Sequence, residues 1–198
     1  MRGDGNVIAD HTRFADHVAF LLPHCRQHRR VIDGGSHLGR FAQHLAEHFV
    51  NTMMFEPNPL CWPILAKTAL AFDEYSFFPY ALGDEQATVI LQNADDSSRD
   101  YYFFKEGAGP GLMKPLDLFG WDDVDLIKLN IEGAELLALR GAEQTIRKTW
   151  PAIFIEEKGF GARFGDAPGE MAAFLNMLGY ARIGQKKHMY LYVRTKSE

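Results

Sequence analysis

The chain has 198 residues, 46% of them hydrophobic and 24% charged, with a formal net charge of −5. These are globular values that argue against disorder, and the length fits one domain able to bury a large core. An acidic balance gives no electrostatic reason to expect nucleic acid as the main partner. Cys25 and Cys61 are the two cysteines; neither has a C-x-x-C partner, which excludes a zinc ribbon or redox motif, and reduced thiols in a cytoplasmic setting are expected. No signal-peptide pattern and no run of about 20 apolar residues is visible, so neither export nor a membrane is expected.

Residues 7–23 place Val7, Ile8, Phe14, Val18, Leu21 and Leu22 at mostly helical steps, and Pro23 marks the end of that helix. Asp10, His11 and Arg13 could reach a ligand from it or form its wet face. The basic runs 26–30 and 186–188 read as solvated turns. The stretch Val31-Ile32-Asp33-Gly34-Gly35-Ser36-His37-Leu38-Gly39 reads as a buried strand, a glycine turn and the start of a helix at 38–49. Glycine lets such a turn bend sharply and lets its backbone touch a ligand. His44 and His48 stand four apart on that helix, but the H-E-x-x-H order is absent and no metal site is expected. His37, inside the turn, either contacts a ligand or points to solvent.

A second strand, 52–55, ends at Glu56, 23 residues after Asp33. A carboxylate there is the usual acceptor for ribose hydroxyls in nucleotide-binding α/β folds. Asp33, Gly35 and Gly39 follow D-x-G-x-x-x-G rather than the G-x-G-x-x-G that seats a pyrophosphate on a helix N-terminus. An acid opening the loop suits a positively charged ligand, and S-adenosyl-L-methionine carries a sulfonium and an ammonium but no phosphate. Another nucleotide, or a glycine turn of purely structural purpose, is the alternative.

Pro57 and Pro59 force an extended turn before a helix at 60–72. Strand three, 75–80, leads into Ala81-Leu82-Gly83-Asp84, a loop able to lie over an adenine ring; Asp84 either accepts from its amine or serves the turn. Two strands, 88–91 and 101–104, would interrupt the α/β alternation, and 105–114 reads as a glycine-rich mobile loop. The Tyr101 and Lys105 pair matches a dehydrogenase spacing, but on a strand and loop rather than a helix.

Strand four, 124–129, precedes Asn130-Ile131-Glu132-Gly133-Ala134-Glu135, and ligands of open α/β sheets sit outside the carboxyl ends of the strands. Lys128 shares a strand face with Asn130 and could neutralise nearby acids. Glu135 reads as a helix-start residue favoured by the dipole. A helix at 136–146, a strand at 151–155 ending in Glu156-Glu157, a helix at 170–178, and two tightly joined, hence antiparallel, strands at 180–183 and 189–193 complete the chain. The count predicts a three-layer α/β/α sandwich, Rossmann-like, with a mostly parallel sheet and a closing antiparallel hairpin. One domain over 1–198 is expected: a helical segment 1–29, core motifs 30–157, and a C-terminal helix and hairpin 158–198.

The blocks VIDGGSHLGRFA (31–42), FEPNP (55–59), ALGD (81–84), LD (116–117), DLIKLNIEGAELLALRGAE (125–143) and PAIFIE (151–156) stand in one order. Through them the chain resembles the FkbM family of S-adenosylmethionine-dependent methyltransferases, over about residues 30–157. The resemblance implies the class I methyltransferase fold and O-methylation of a sugar or small-metabolite hydroxyl, with a small-molecule or glycan acceptor. Cofactor contacts are then expected from Asp33, Gly34, Gly35, Ser36, Gly39, Glu56, Pro57, Ala81, Leu82, Asp84 and Asn130. Catalytic candidates are Glu132, Asn130 and His37, with Glu132 the first choice of base and Glu156 the third, after His37. Asn130 stands where the family usually carries Asp, and an amide is no proton acceptor of the carboxylate kind. A weakly active or inactive binding module of the same fold therefore stays open, as does a nicotinamide-dependent oxidoreductase.

Overall fold

The computed structural model describes residues 4–93, 102–106 and 109–195. Helix α1 (Asp4–Leu21) precedes β1 (Arg30–Gly34), α2 (Arg40–Ala46), β2 (Asn51–Phe55), α3 (Trp62–Ala71) and β3 (Tyr75–Phe78). Four short strands follow: β4 (Ala81–Leu82), β5 (Ala87–Asn93), β6 (Tyr102–Glu106) and β7 (Gly111–Lys114). The chain ends with β8 (Val124–Leu129), α4 (Glu135–Arg140), α5 (Glu143–Thr149), β9 (Ala152–Glu156), α6 (Glu170–Met177), β10 (Tyr180–Lys186) and β11 (Met189–Arg194).

Among the described residues, one sheet has seven strands in the order β10-β11-β9-β8-β1-β2-β3. β1, β2, β3, β8 and β9 pair in parallel; β11 runs antiparallel to both β9 and β10. β1, β2, β8 and β9 are buried on both faces, which is why they read as largely apolar runs rather than alternating ones, whereas β3 at the edge is half-buried. Val18 and Leu21 of α1 pack with Phe41 and Leu45 of α2 over one face of the sheet. Ala138, Leu139, Ile146 and Leu175, from α4, α5 and α6, pack over the other. The three-layer α/β/α sandwich with its closing hairpin is thereby confirmed, and the order of the strands reverses between β1 and β8, where ligands of such sheets bind.

Two features differ from expectation. The apolar steps at Leu136, Leu139, Ala142 and Ile146 predict one helix, but α4 stops at Arg140 and α5 starts at Glu143. Gly141 lies so close to the carbonyl of Gly83 that no Cβ fits between them. Asp117 then starts the second helix: its carboxylate accepts from the amides of Gln144 (3.0 Å) and Thr145 (2.8 Å), two donors that no helical turn precedes. The second difference is that the expected hairpin is part of a four-stranded sheet, β4-β7-β5-β6, and the expected loop at 105–114 contains the strand β7. Tyr101 of that reading, and most of the polar segment before it, lie outside the described residues.

Candidate active site

The site is assembled at the carboxyl ends of β1, β2, β8 and β9. Parallel register sets Asp33 of β1 beside Lys128 of β8, and Lys128 Nζ lies 2.8 Å from Asp33 Oδ1. Both side chains are buried. The ammonium donates its hydrogen bonds to the carbonyls of Gly34 and Gly35, each at 3.1 Å, so one lysine neutralises the buried acid and ties down the glycine turn. Among the described residues, the carboxylate oxygens of Asp33 have no hydrogen bond beyond this ion pair.

The turn itself is left-handed three times in five residues, at Gly35 (φ 74°), His37 (φ 50°) and Gly39 (φ 75°). A Cβ at Gly35 would run into the carbonyl oxygen of Asn130, so only glycine lets the two strand ends approach. Ser36 Oγ donates to the carbonyl of Asp33 (2.7 Å), and the amides of Gly35 and Ser36 both donate to Phe55. His37 in the left-handed region is a costly conformation for a residue with a Cβ. It presents its amide to Glu56 Oε2 at 2.8 Å, and Asn58 presents its own to Oε1 at 2.9 Å. Glu56 thus joins the glycine turn to the Pro57-Pro59 turn, and each of its oxygens keeps a further lone pair. Burial raises its pKa; the two amides and Lys128 act the other way.

After β8 the chain makes a second unusual turn, with Glu132 at φ 58° and Gly133 at φ 114°. Glu135 clamps it, accepting from the amides of Ile131 and Gly133 at 2.9 Å each. Its burial pushes its pKa up to about 7. The clamp sets Glu132 into a cleft of about 680 Å³. Glu132 is only 6% exposed, and its pKa is raised by that burial, with Lys158 opposing and Glu156 adding to the effect. Lys158 Nζ is 3.9 Å from Glu132 Oε1 and 2.8 Å from Glu156 Oε2, so the carboxylate of β9 is the better neutralised of the two. Asn130 also lines the cleft, and among the described residues nothing donates to its buried Oδ1.

Gly35, Ser36, His37, Glu56, Pro57, Ala81, Leu82, Asn130, Glu132 and Glu156 therefore border one space. Asp33, Gly34 and Gly39 do not border it; they shape the turn from beneath. Asp84 is exposed beyond the cleft, because the chain turns away at Gly83, packed tightly on Met113. Tyr80, Leu91, His17, Arg40 and Lys158 border the cleft although nothing in their local sequence marks them. Arg13, expected either to reach a ligand or to form a wet helix face, and 186–188, expected as a solvated turn, border it as well. Among the described residues, no group of three or more His, Cys, Asp or Glu is placed to hold a metal, and no helix is long and apolar enough to cross a membrane.

The strand order and the antiparallel closing hairpin are those of the class I methyltransferase fold, and with the family match below the chain is of the S-adenosylmethionine-dependent methyltransferases, whose cofactor is S-adenosyl-L-methionine. The chain belongs to the FkbM methyltransferase family: the Methyltransferase FkbM domain matches residues 33–182. Among solved structures it is similar to the methyltransferase FkbM from Methylobacillus flagellatus KT, at 18% identity and a TM-score of 0.55, over 84% of this chain and 44% of that one. This chain thus spans less than half the length of the Methylobacillus protein. It is also similar to the N-methyltransferase NodS from Bradyrhizobium japonicum WM9 (9% identity, TM-score 0.52, 99% of this chain and 100% of that one). The complex of NodS with S-adenosyl-l-homocysteine matches at 10% identity and a TM-score of 0.51, over 93% of this chain and 87% of that one. At these identities the likeness is one of fold. No curated protein matches the chain.

Proposed function

We propose that the chain is an S-adenosylmethionine-dependent O-methyltransferase acting on a hydroxyl of a sugar or small metabolite. The residues present fit the cofactor. The buried Oδ1 of Asn130, without a hydrogen-bond partner among the described residues, is an acceptor in need of a donor, of the kind an ammonium group provides. The remaining lone pairs of Glu56 suit a pair of ribose hydroxyls, with Ala81 and Leu82 offering an apolar surface for the adenine. When bound, S-adenosylmethionine supplies an electrophilic methyl group.

The chain has two tasks: to hold an acceptor hydroxyl in line, and to take its proton. Alignment can supply much of the rate. Glu132 takes the proton, and the observation that carries this reading is its placement: a buried carboxylate, held in a left-handed turn, on the same cleft wall as Asn130. Desolvation makes it a stronger base than a carboxylate in water. Asn130 in the family's Asp position favours a second reading, a protein that binds cofactor and acceptor without turnover. The experiment is incubation with deuteromethyl-labelled S-adenosylmethionine and a panel of sugars, polyols and amines, read by mass spectrometry. Label on oxygen supports the reading, label on nitrogen refutes it, and cofactor binding with no label on any acceptor supports the second.

A further inference from the structure

The cleft has two chemically opposite ends. Glu56 stands at the end of β2, whereas the turn of the β10–β11 hairpin stands beside Glu156, since Met189 pairs with Glu156 across β11 and β9. Four strand spacings separate β2 from β11, about 19 Å. The far end is cationic. Lys186, Lys187 and His188 line the cleft there, and so do Arg13 and His17 of α1. The two elements are held together by Phe20 of α1, whose ring would lie 2.8 Å from any Cβ at position 184. Lys187 takes the left-handed conformation (φ 56°) that closes the two-residue turn. Arg13, Lys186 and Lys187 all act on the ring of His17, whose pKa is lowered to about 4, chiefly by burial and then by these three cations; Asp16 acts the other way. The nearest cleft carboxylate, Glu156, is already matched by Lys158 at 2.8 Å. A chain of net charge −5 thus turns three cations into one end of its cleft.

We propose that the methyl acceptor carries an anionic group, a carboxylate or a phosphate, held by Arg13, Lys186 and Lys187 while its hydroxyl reaches Glu132. This rests on the reading of the cleft as an acceptor site. Distance separates the cationic end from the ribose-accepting acid, which leaves it to the second ligand rather than the cofactor. Clustered like charges at a low-dielectric wall raise the local concentration of an oppositely charged ligand and select against its neutral analogue.

Acetate and inorganic phosphate, titrated separately into the full chain saturated with S-adenosylhomocysteine, should shift the ¹⁵N amide signals of Arg13 and Lys186 to His188. The tighter of the two names the anion. Lys186→Ala/Lys187→Ala should weaken that binding about ten-fold, the scale of two partly exposed charge contacts. Lys67→Ala/Lys148→Ala, which makes the same change in net charge outside the cleft, should not. No shift at these amides, equal weakening in the control pair, or a parallel loss of S-adenosylhomocysteine affinity would each overturn the proposal. Anion binding without methyl transfer to any hydroxyl defeats the O-methyltransferase reading and the placement of a hydroxyl at Glu132, and leaves the anion subsite at Arg13, Lys186 and Lys187 standing. Methyl transfer to neutral sugars, unchanged in Lys186→Ala/Lys187→Ala, does the reverse.

Discussion

The glycine end and the basic end of the cleft are built in different ways. At the glycine end the groups are main-chain amides and carbonyls, drawn together by Glu56 from the next strand end and by Lys128 from the neighbouring strand β8. At the basic end they are side chains from α1 and from a hairpin some 170 residues later, joined by side-chain packing: Phe20 on Gly184, and Val18 and Leu21 in one cluster with Met189 and Leu191. The first construction is rigid and demands particular residues at particular spacings. The second sets a field and tolerates exchange of one cation for another. Between them stands the turn after β8, where Glu132 faces both.

The largest effect is expected at that turn. Glu132→Gln keeps the shape of the side chain and removes the proton acceptor, so turnover should fall by about 10²–10⁴-fold. Affinity for S-adenosylhomocysteine should change little, since the loss lies in the transition state. Burial raises the pKa of Glu132, so wild-type activity should decline as pH falls through that raised value, and the variant should lack this acidic limb. Equal turnover on an identified acceptor would leave alignment alone, or His37, as the account.

The glycine end is sharpened by Lys128→Met. Removing one partner of a buried ion pair leaves a buried charge unanswered, which costs roughly 3–5 kcal/mol. The variant should lose that much in urea unfolding, and Lys128→Met/Asp33→Asn should recover part of it. An unchanged midpoint would mean that the turn is held by its backbone alone.

How legible each end was in the sequence follows from its construction. Glu56, Gly35 and Asn130 lie in contiguous motifs whose residue types are dictated by left-handed backbone, close approach and strand ends, so a single sequence exposes them. Arg13, Lys186 and Lys187 look like any solvated cations until the topology folds the hairpin back against α1. The helix break at Gly141 was hidden for a related reason: the apolar steps run through Ala142 without interruption, and its cause is the carbonyl of Gly83, distant in sequence. For Asp84 the sequence leaves two places open, because a motif shows where the chain turns but not in which direction the side chain leaves; the exposed side chain fits the turn.

Glu135 tests the clamp between the two ends. Its pKa in the fold, about 7, exceeds the ordinary 4.5, so the folded state binds this proton more tightly than the unfolded chain. The resulting stability is fully present below about pH 4.5 and is lost as pH rises through 7, a change of about 3 kcal/mol. Urea unfolding of the wild type relative to Glu135→Gln, from pH 5 to pH 8, should show that slope in the wild type alone. Parallel pH profiles for the two proteins would show that the two amides hold the carboxylate ionised throughout.

The smallest effect is expected from Glu56→Ala, and it separates the two ends most directly. The carboxylate accepts from His37 and Asn58, and two hydroxyls would add charge-assisted hydrogen bonds worth roughly 1.5–3 kcal/mol in all. Affinity for S-adenosylhomocysteine should therefore fall about ten- to a hundred-fold by calorimetry. Part of that loss belongs to the turn, because the amide of His37, held in a left-handed conformation, loses its acceptor. Glu56→Gln distinguishes the parts. Its amide oxygen can accept from one of the two backbone amides, but its NH₂ must face the other donor and can offer a ribose hydroxyl only half of what the carboxylate does. A variant that loses affinity to the same extent as Glu56→Ala while keeping wild-type unfolding assigns the effect to the hydroxyls. Loss of stability in step with affinity assigns it to the turn. Neither substitution should alter anion binding at Lys186 and Lys187; if it does, the two ends are not independent.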